Sequence, residues 1–262
     1  MSALTAASFG GGVQSMAMLV LAATGRLDVP LFIFANVGDD SEHPDTTAYV
    51  REIAQPYADA HGVELVTVQR HRRNGVPETL MEVLNRGRRC IPMRRAKDGP
   101  PMSRSCTADF KIAPIGKELK RRGATKENPA RVAIGISVDE IERAKPGIDP
   151  RSPHQERFYP LLDLGMHRSG CRRVITDAGL PVPPKSACFF CPFHDADAWR
   201  SLRRKRPDLF VQAVDLERRM SDASTDGRPV FLTRHGLPLD QTLNDQLSLD
   251  GMDGCDSGWC MT

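Results

Sequence analysis

Three glycines in a row, Gly10-Gly11-Gly12, stand between an apolar run from Leu4 to Phe9 and an amphipathic one from Met16 to Ala23. A strand that turns at once into a helix needs backbone freedom at the junction, and consecutive glycines supply it. The same turn exposes N–H groups at the start of the helix, where the dipole favours an anion. Ser15 adds a hydroxyl to that first turn. The stretch from Ala7 to Ser15 therefore reads as a strand–loop–helix phosphate site. The blander reading is a tight turn that uses glycine for steric reasons.

The next 120 residues repeat the alternation. Leu31-Phe32-Ile33-Phe34 reads as a buried strand, ended by the polar turn Asn36-Val37-Gly38-Asp39-Asp40. Residues 44–61 follow a helical pattern, with Tyr49, Ile53 and Tyr57 four apart. Val63 to Val68 alternates as a strand, residues 79–86 and 107–122 read as helices, and Arg131 to Gly135 is a fourth strand. Such alternation predicts an α/β fold with a parallel sheet covered on both faces. Ligands in these sheets bind at the carboxyl ends of strands, where Gly10–Gly12, Asn36–Asp39 and Gly135–Glu140 would converge.

After Pro150 the strand rhythm stops and prolines punctuate the chain at 150, 153, 160, 181, 183, 184 and 192. This predicts an α/β domain over residues 1–150 and a subdomain of helices and loops, carrying cysteines, over 151–262. Residues 89–105, rich in Arg, Pro, Gly, Met and Ser, read as a mobile loop near the site.

No apolar run approaches the ~20 residues a membrane helix needs, and the start lacks a basic-then-apolar leader. The expectation is a cytoplasmic protein with no membrane partner. Seven cysteines is an odd count for a disulfide framework, so metal binding or redox chemistry is the better use for them. Positive charge gathers at Arg70–Arg73, 86–97, 117–122 and 203–206. These runs are either solvated faces or contacts for nucleic acid or polyphosphate.

Cys188-Phe189-Phe190-Cys191-Pro192 is the sharpest local signal. Two thiolates at that spacing can chelate one metal or cluster, or form a redox pair. Cys171 and Cys106 could complete a four-thiolate set; for Cys171 the alternative is a small buried core residue. Cys255 and Cys260 form a separate pair suited to sulfur or electron transfer. Cys90, beside Arg88 and Arg89 and near Arg94, has an anion the arginines favour, and reads as an exposed bystander with a nucleophile as the alternative. Gly135-Ile136-Ser137-Val138-Asp139-Glu140-Ile141-Glu142-Arg143 sets acids and an arginine at the sheet edge. They could serve a metal-bound triphosphate or simply satisfy a helix N-terminus.

Together these segments resemble the phosphoadenosine-phosphosulfate reductase-like family of PP-loop ATP pyrophosphatases, in the adenine nucleotide α-hydrolase superfamily. Gly10–Ser15 is similar to its Ser-Gly-Gly-x-Asp-Ser loop, and Asn36–Asp39 with Pro44 and Thr46 to its second-strand motif. Cys106 to Lys111 and Pro114 resemble its cysteine-lysine-proline segment, and Gly135 to Arg143 its Gly-Ile-Arg-x-x-Glu-x-x-Arg element. Gln14 and Asn36 stand where the family has aspartates, and Ser137 where it has an arginine.

The resemblance implies a Rossmann-like nucleotide α-hydrolase core. It implies ATP with Mg2+, or an adenylyl-sulfate nucleotide, against Ser8, Phe9, Gly10, Gly11, Gly12, Gln14, Ser15, Asn36, Gly38, Asp39, Gly135, Ser137, Asp139 and Glu140. Lys111 and Arg143 would act at the phosphates, and Cys255 and Cys260 would be further catalytic groups. A 4Fe–4S cluster maps to Cys106, Cys171, Cys188 and Cys191, with zinc as the alternative. The implied partners are DNA or tRNA, and a cysteine desulfurase or thioredoxin as donor. Three activities stay open: ATP-dependent sulfur transfer to nucleic acid, as in DNA phosphorothioation enzymes, sulfonucleotide reduction with thioredoxin, and nucleotide sensing without turnover.

Overall fold

The computed structural model describes residues 4–145, 147–224 and 226–242. In chain order the elements begin with strand β1 (Thr5–Phe9), helix α1 (Val13–Ala23) and strand β2 (Leu31–Asn36). Helices α2 (Pro44–Tyr49) and α3 (Gln55–Ala60) join through a π-helical turn, Val50–Ala54, and lead into β3 (Glu64–Gln69). Helix α4 (Leu80–Asn85) follows, then a second π turn, Ala108–Ile112, running into α5 (Ala113–Arg121). Strand β4 (Ala130–Ile134) precedes a 3-10 turn, Val138–Arg143, and the short strands β5 (Gly147–Ile148) and β6 (Gln155–Phe158). Helices α6 (Pro160–Asp163), α7 (Arg168–Asp177), α8 (Ala196–Lys205) and α9 (Pro207–Asp222) complete the set.

The strands form one sheet in the order β3-β2-β1-β4-β6-β5. Every pairing is parallel except β5 with β6. This is the expected α/β, Rossmann-like architecture. Strand β2 shows why its run is apolar throughout. Phe32 and Phe34 enter the core on one face with α1 and α7, whereas Leu31, Ile33 and Ala35 enter the other with Ile115 and Leu119 of α5. A parallel strand covered on both sides has no polar face to show.

The chain divides into two units, and neither is contiguous. The first comprises the chain up to Pro77 together with Asp109–Ser186; the second comprises Glu78–Ala108 together with the described residues from Ala187 onward. The expected boundary at 150 is therefore corrected. Strand β6 pairs with β4, Ala130 opposite Gln155 and Ala133 opposite Phe158, so the sheet continues past the prolines. Residues 89–105 carry no helix or strand but are bonded into the second unit. Arg94 and Phe231 exchange backbone hydrogen bonds of 2.9 and 2.7 Å, and Met102 N–H donates to Met93 C=O at 2.8 Å.

Among the described residues no helix is long and apolar enough to cross a membrane.

Candidate functional site

The reversal of strand order falls between β1 and β4, with β2 and β3 beyond one and β6 and β5 beyond the other. In open parallel sheets this switch point leaves a crevice at the carboxyl edge. The loop Gly10–Gly12 leaves β1 there, and Gly135 leaves β4 beside it. Gly11 has φ +75°, and a Cβ on it would stand 3.0 Å from Thr46 Cγ2, so both conformation and space demand glycine. A Cβ on Gly135 would stand 3.2 Å from that of Gln14 and 3.3 Å from the backbone nitrogen of Ser15. The exit of β4 thus lies directly against the start of α1.

Gly12 is the N-cap of α1, and the first turn of this helix holds no acidic residue. Its positive end therefore has no carboxylate of its own. The Ser15 hydroxyl accepts from Gly12 N–H at 3.1 Å and donates to Gly12 C=O at 2.9 Å, which holds the loop in shape. Ser8 and Phe9, which end β1, are buried beneath it.

A charged pair borders the loop. Arg143 Nη1 donates to Glu140 Oε2 at 2.7 Å, and these side chains are only 8% and 6% exposed. Gln14 Nε2 donates to the same oxygen at 3.4 Å. Burial pushes the Glu140 carboxyl upward against the pull of Arg143. Arg143 Nε is buried with no hydrogen-bond partner among the described residues, so this guanidinium has capacity for a further acceptor. Asn36 Nδ2 donates to Asp39 Oδ1 at 2.8 Å and its Oδ1 accepts from Gly38 N–H at 2.9 Å, closing the loop after β2 on itself.

Lys111 is half-buried in the π turn ahead of α5. That helix returns the chain towards β4, so its N-terminal end lies at the carboxyl edge of the parallel sheet. Arg70, just past β3, ties the turn to that edge through Asp109 at 3.4 Å and the ring of Phe110 at 4.8 Å.

Other candidate residues have partners within the protein. Asp139 accepts from Arg168 N–H at 2.5 Å and bonds His167 Nδ1 at 3.0 Å, and Ser137 Oγ donates to it at 3.2 Å. These bonds hold its carboxyl down at about 2 and make it the clamp on the start of α7. Cys171 is wholly buried in the core between α1 and α7, and burial raises its thiol to about 11. Cys171 packs in the core of the first unit, whereas Cys106, Cys188 and Cys191 belong to the second.

Two of the four cations in the basic run 117–122 are paired with carboxylates. Glu118 takes both Arg121 and Arg122 at 2.7 Å, and Glu64 takes Arg122 at 2.6 and 2.8 Å. Arg203, Arg204 and Lys205 occupy the last turn of α8, where cations complement the helix dipole.

Sequence reasoning gave Ser186 no role. Its hydroxyl donates to Gly10 C=O at 2.5 Å across a separation of 176 residues. Tyr49 Oη donates to Pro181 C=O at 2.6 Å, so the strap 181–186 is pinned at both ends. The only local hint is the extended Pro183-Pro184 that delivers Ser186 to the loop.

Cys106, Cys188 and Cys191 belong to the second unit, half-buried. Cys191 N–H donates to Cys188 C=O at 3.0 Å, and the His194 ring bonds the same carbonyl at 3.0 Å, giving a tight turn. Thiols only, with no carboxylate among them, suit an iron–sulfur group. A single zinc would draw its sulfurs to about 2.3 Å of one point. Among the described residues no group of three or more histidine, cysteine or acidic side chains is set to hold a metal ion. Cys255 and Cys260 lie outside the described residues.

No family model matches the chain, and no curated protein matches its sequence. Among solved structures it is similar to the U34-tRNA thiolase NcsA from Methanococcus maripaludis with its 4Fe–4S cluster. The identity is 17%, over 84% of this chain and 72% of that one, with a TM-score of 0.43. So distant a likeness assigns no function to this chain.

Proposed function

We propose that this chain is an ATP-dependent sulfur-transfer enzyme of the PP-loop type acting on nucleic acid. The observation that carries the reading is the glycine loop at the switch point. There the acid-free start of α1 and the buried guanidinium of Arg143, with its unpartnered Nε, stand on adjacent strand exits. One is a backbone anion site and the other a charged fork, and together they suit a polyphosphate.

In this reading the Gly10–Ser15 loop seats the phosphates of ATP with Mg2+, and Lys111 and Arg143 neutralise charge as it develops. An oxygen of the acceptor, in DNA or tRNA, attacks the α-phosphorus and pyrophosphate leaves. A persulfide from a donor such as a cysteine desulfurase then displaces AMP, and a dithiol reductant such as thioredoxin cleaves the resulting S–S bond, leaving the sulfur on the acceptor. This chemistry rests on positioning and charge and not on an acid–base pair, and the glycine loop beside Arg143 supports that reading. Cys106, Cys188 and Cys191 would hold a 4Fe–4S cluster, which when bound supplies an electron-transfer centre.

The test is pyrophosphate release by the full chain from MgATP, with and without tRNA or duplex DNA. Release should rise with one of the polymers and fall at least tenfold in Arg143→Ala. ATP bound tightly but not turned over on any acceptor would favour a sensing role. Sulfite formed from adenylyl sulfate with thioredoxin would make the chain a reductase.

A further inference from the structure

We propose that Cys90 is the fourth thiolate of the cluster site formed with Cys106, Cys188 and Cys191, an inference that rests on the cluster reading above. These four cysteines all belong to the second unit, and Cys171 does not. The carbonyl of Cys90 accepts the N–H groups of both Ser105 and Cys106, each at 3.0 Å, so residues 90 and 106 run side by side. The guanidinium of Arg104 lies over the ring of Phe193 at 5.2 Å. Arg104 is two residues before Cys106 and Phe193 two after Cys191, each within about 7 Å of chain. One cation–π contact therefore staples the Cys90–Cys106 pair to the Cys188–Cys191 turn.

The surroundings suit such a group. Cys90 is 1% exposed, so the arginines beside it in sequence do not make it a surface thiol. Phe189 and Phe190 are buried edge to face at 4.9 Å between the other two ligands. Arg88 Nη2 reaches Ser105 Oγ at 3.5 Å, which sets a cation one residue from Cys106. A water-poor shell with nearby positive charge stabilises a thiolate-ligated cluster, whose ligation releases the thiol protons.

The test is anaerobic reconstitution of the full chain with ferrous iron and sulfide. Iron and labile sulfide are counted per folded chain, and the reduced protein is read by electron paramagnetic resonance. Wild type should take up about four irons. Cys90→Ser and Cys90→Ala should lose at least three-quarters of that iron, as Cys106→Ser does, whereas Cys171→Ser should keep it. Circular dichroism of the metal-free variants against metal-free wild type separates ligand loss from misfolding. Retention of iron and an unchanged signal in folded Cys90→Ser, or loss in Cys171→Ser instead, overturns the assignment. A wild type that takes up no iron overturns the cluster reading itself, whichever cysteine is replaced.

Discussion

Two amides occupy positions where the resembled pattern has carboxylates, and each donates to a remaining acid. Gln14 bonds Glu140, and Asn36 bonds Asp39. An ionised aspartate at either place could not donate and would face a like charge, so these departures are locally consistent substitutions rather than losses. The energetics at this scale centre on Arg143. Glu140→Ala leaves its guanidinium buried without a counter-charge and should cost about 3 kcal/mol or more. The double variant Glu140→Ala/Arg143→Met should recover part of that cost, and urea unfolding measures both. Ser186→Ala removes one donor from the Gly10 carbonyl and should cost about 1 kcal/mol by the same measurement.

Among the elements, the turn from β1 to α1 gives the most direct test of sterics against strain. Gly25, with φ +71° and nothing near its missing Cβ, shares a positive φ with Gly11 but not its crowding. Gly25→Ala should cost about 1 kcal/mol from conformation alone. Gly11→Ala should cost at least about 1 kcal/mol more, because its Cβ meets Thr46 and Val50. Thermal unfolding reports both costs, and only the second variant should abolish retention of ATP.

The strands around that turn were legible because β1 and β2 are buried along nearly their whole length and β4 exposes only Arg131. Strand β6, Gln-Glu-Arg-Phe, was missed because its membership rests on backbone bonds to β4 and not on side-chain burial. The glycine loop carries its chemistry in its own residues and could be read directly. Ser186 and the burial of Cys90 could not, since both depend on partners far along the chain, and the arginines around Cys90 pointed to the surface.

For the whole molecule, one carboxylate in each unit contributes to the pH dependence of stability in the opposite direction to the other. In the second unit Glu217 is 4% exposed and accepts from Leu232 and Leu239 N–H at 2.6 and 2.7 Å. Burial nevertheless pushes its carboxyl up from 4.5 to about 7. Between those values the folded state keeps a proton that the unfolded chain has released, so stability falls as pH rises through the interval. Glu217→Gln should flatten that slope, followed by the fluorescence of buried Trp199 in a Trp259→Phe background. In the first unit, hydrogen bonds from Arg121 lead those that lower Glu118 to about 2. Its contribution is present above pH 4.5 and is lost as pH falls towards 2. A fragment ending at residue 150 should fail to fold, by circular dichroism. It lacks β6 and also Leu161, Cys171 and Ile175, which fill the core beside α1.

The interleaved path of the chain also imposes an order in time. Glu78–Ala108 leaves the ribosome with no partner for its own unit, and waits while the remainder of the sheet is made. Closure of that unit is therefore a late event of synthesis. Until the Cys188–Cys191 turn emerges, Cys90 and Cys106 stand open to whatever cellular machinery handles unguarded thiols.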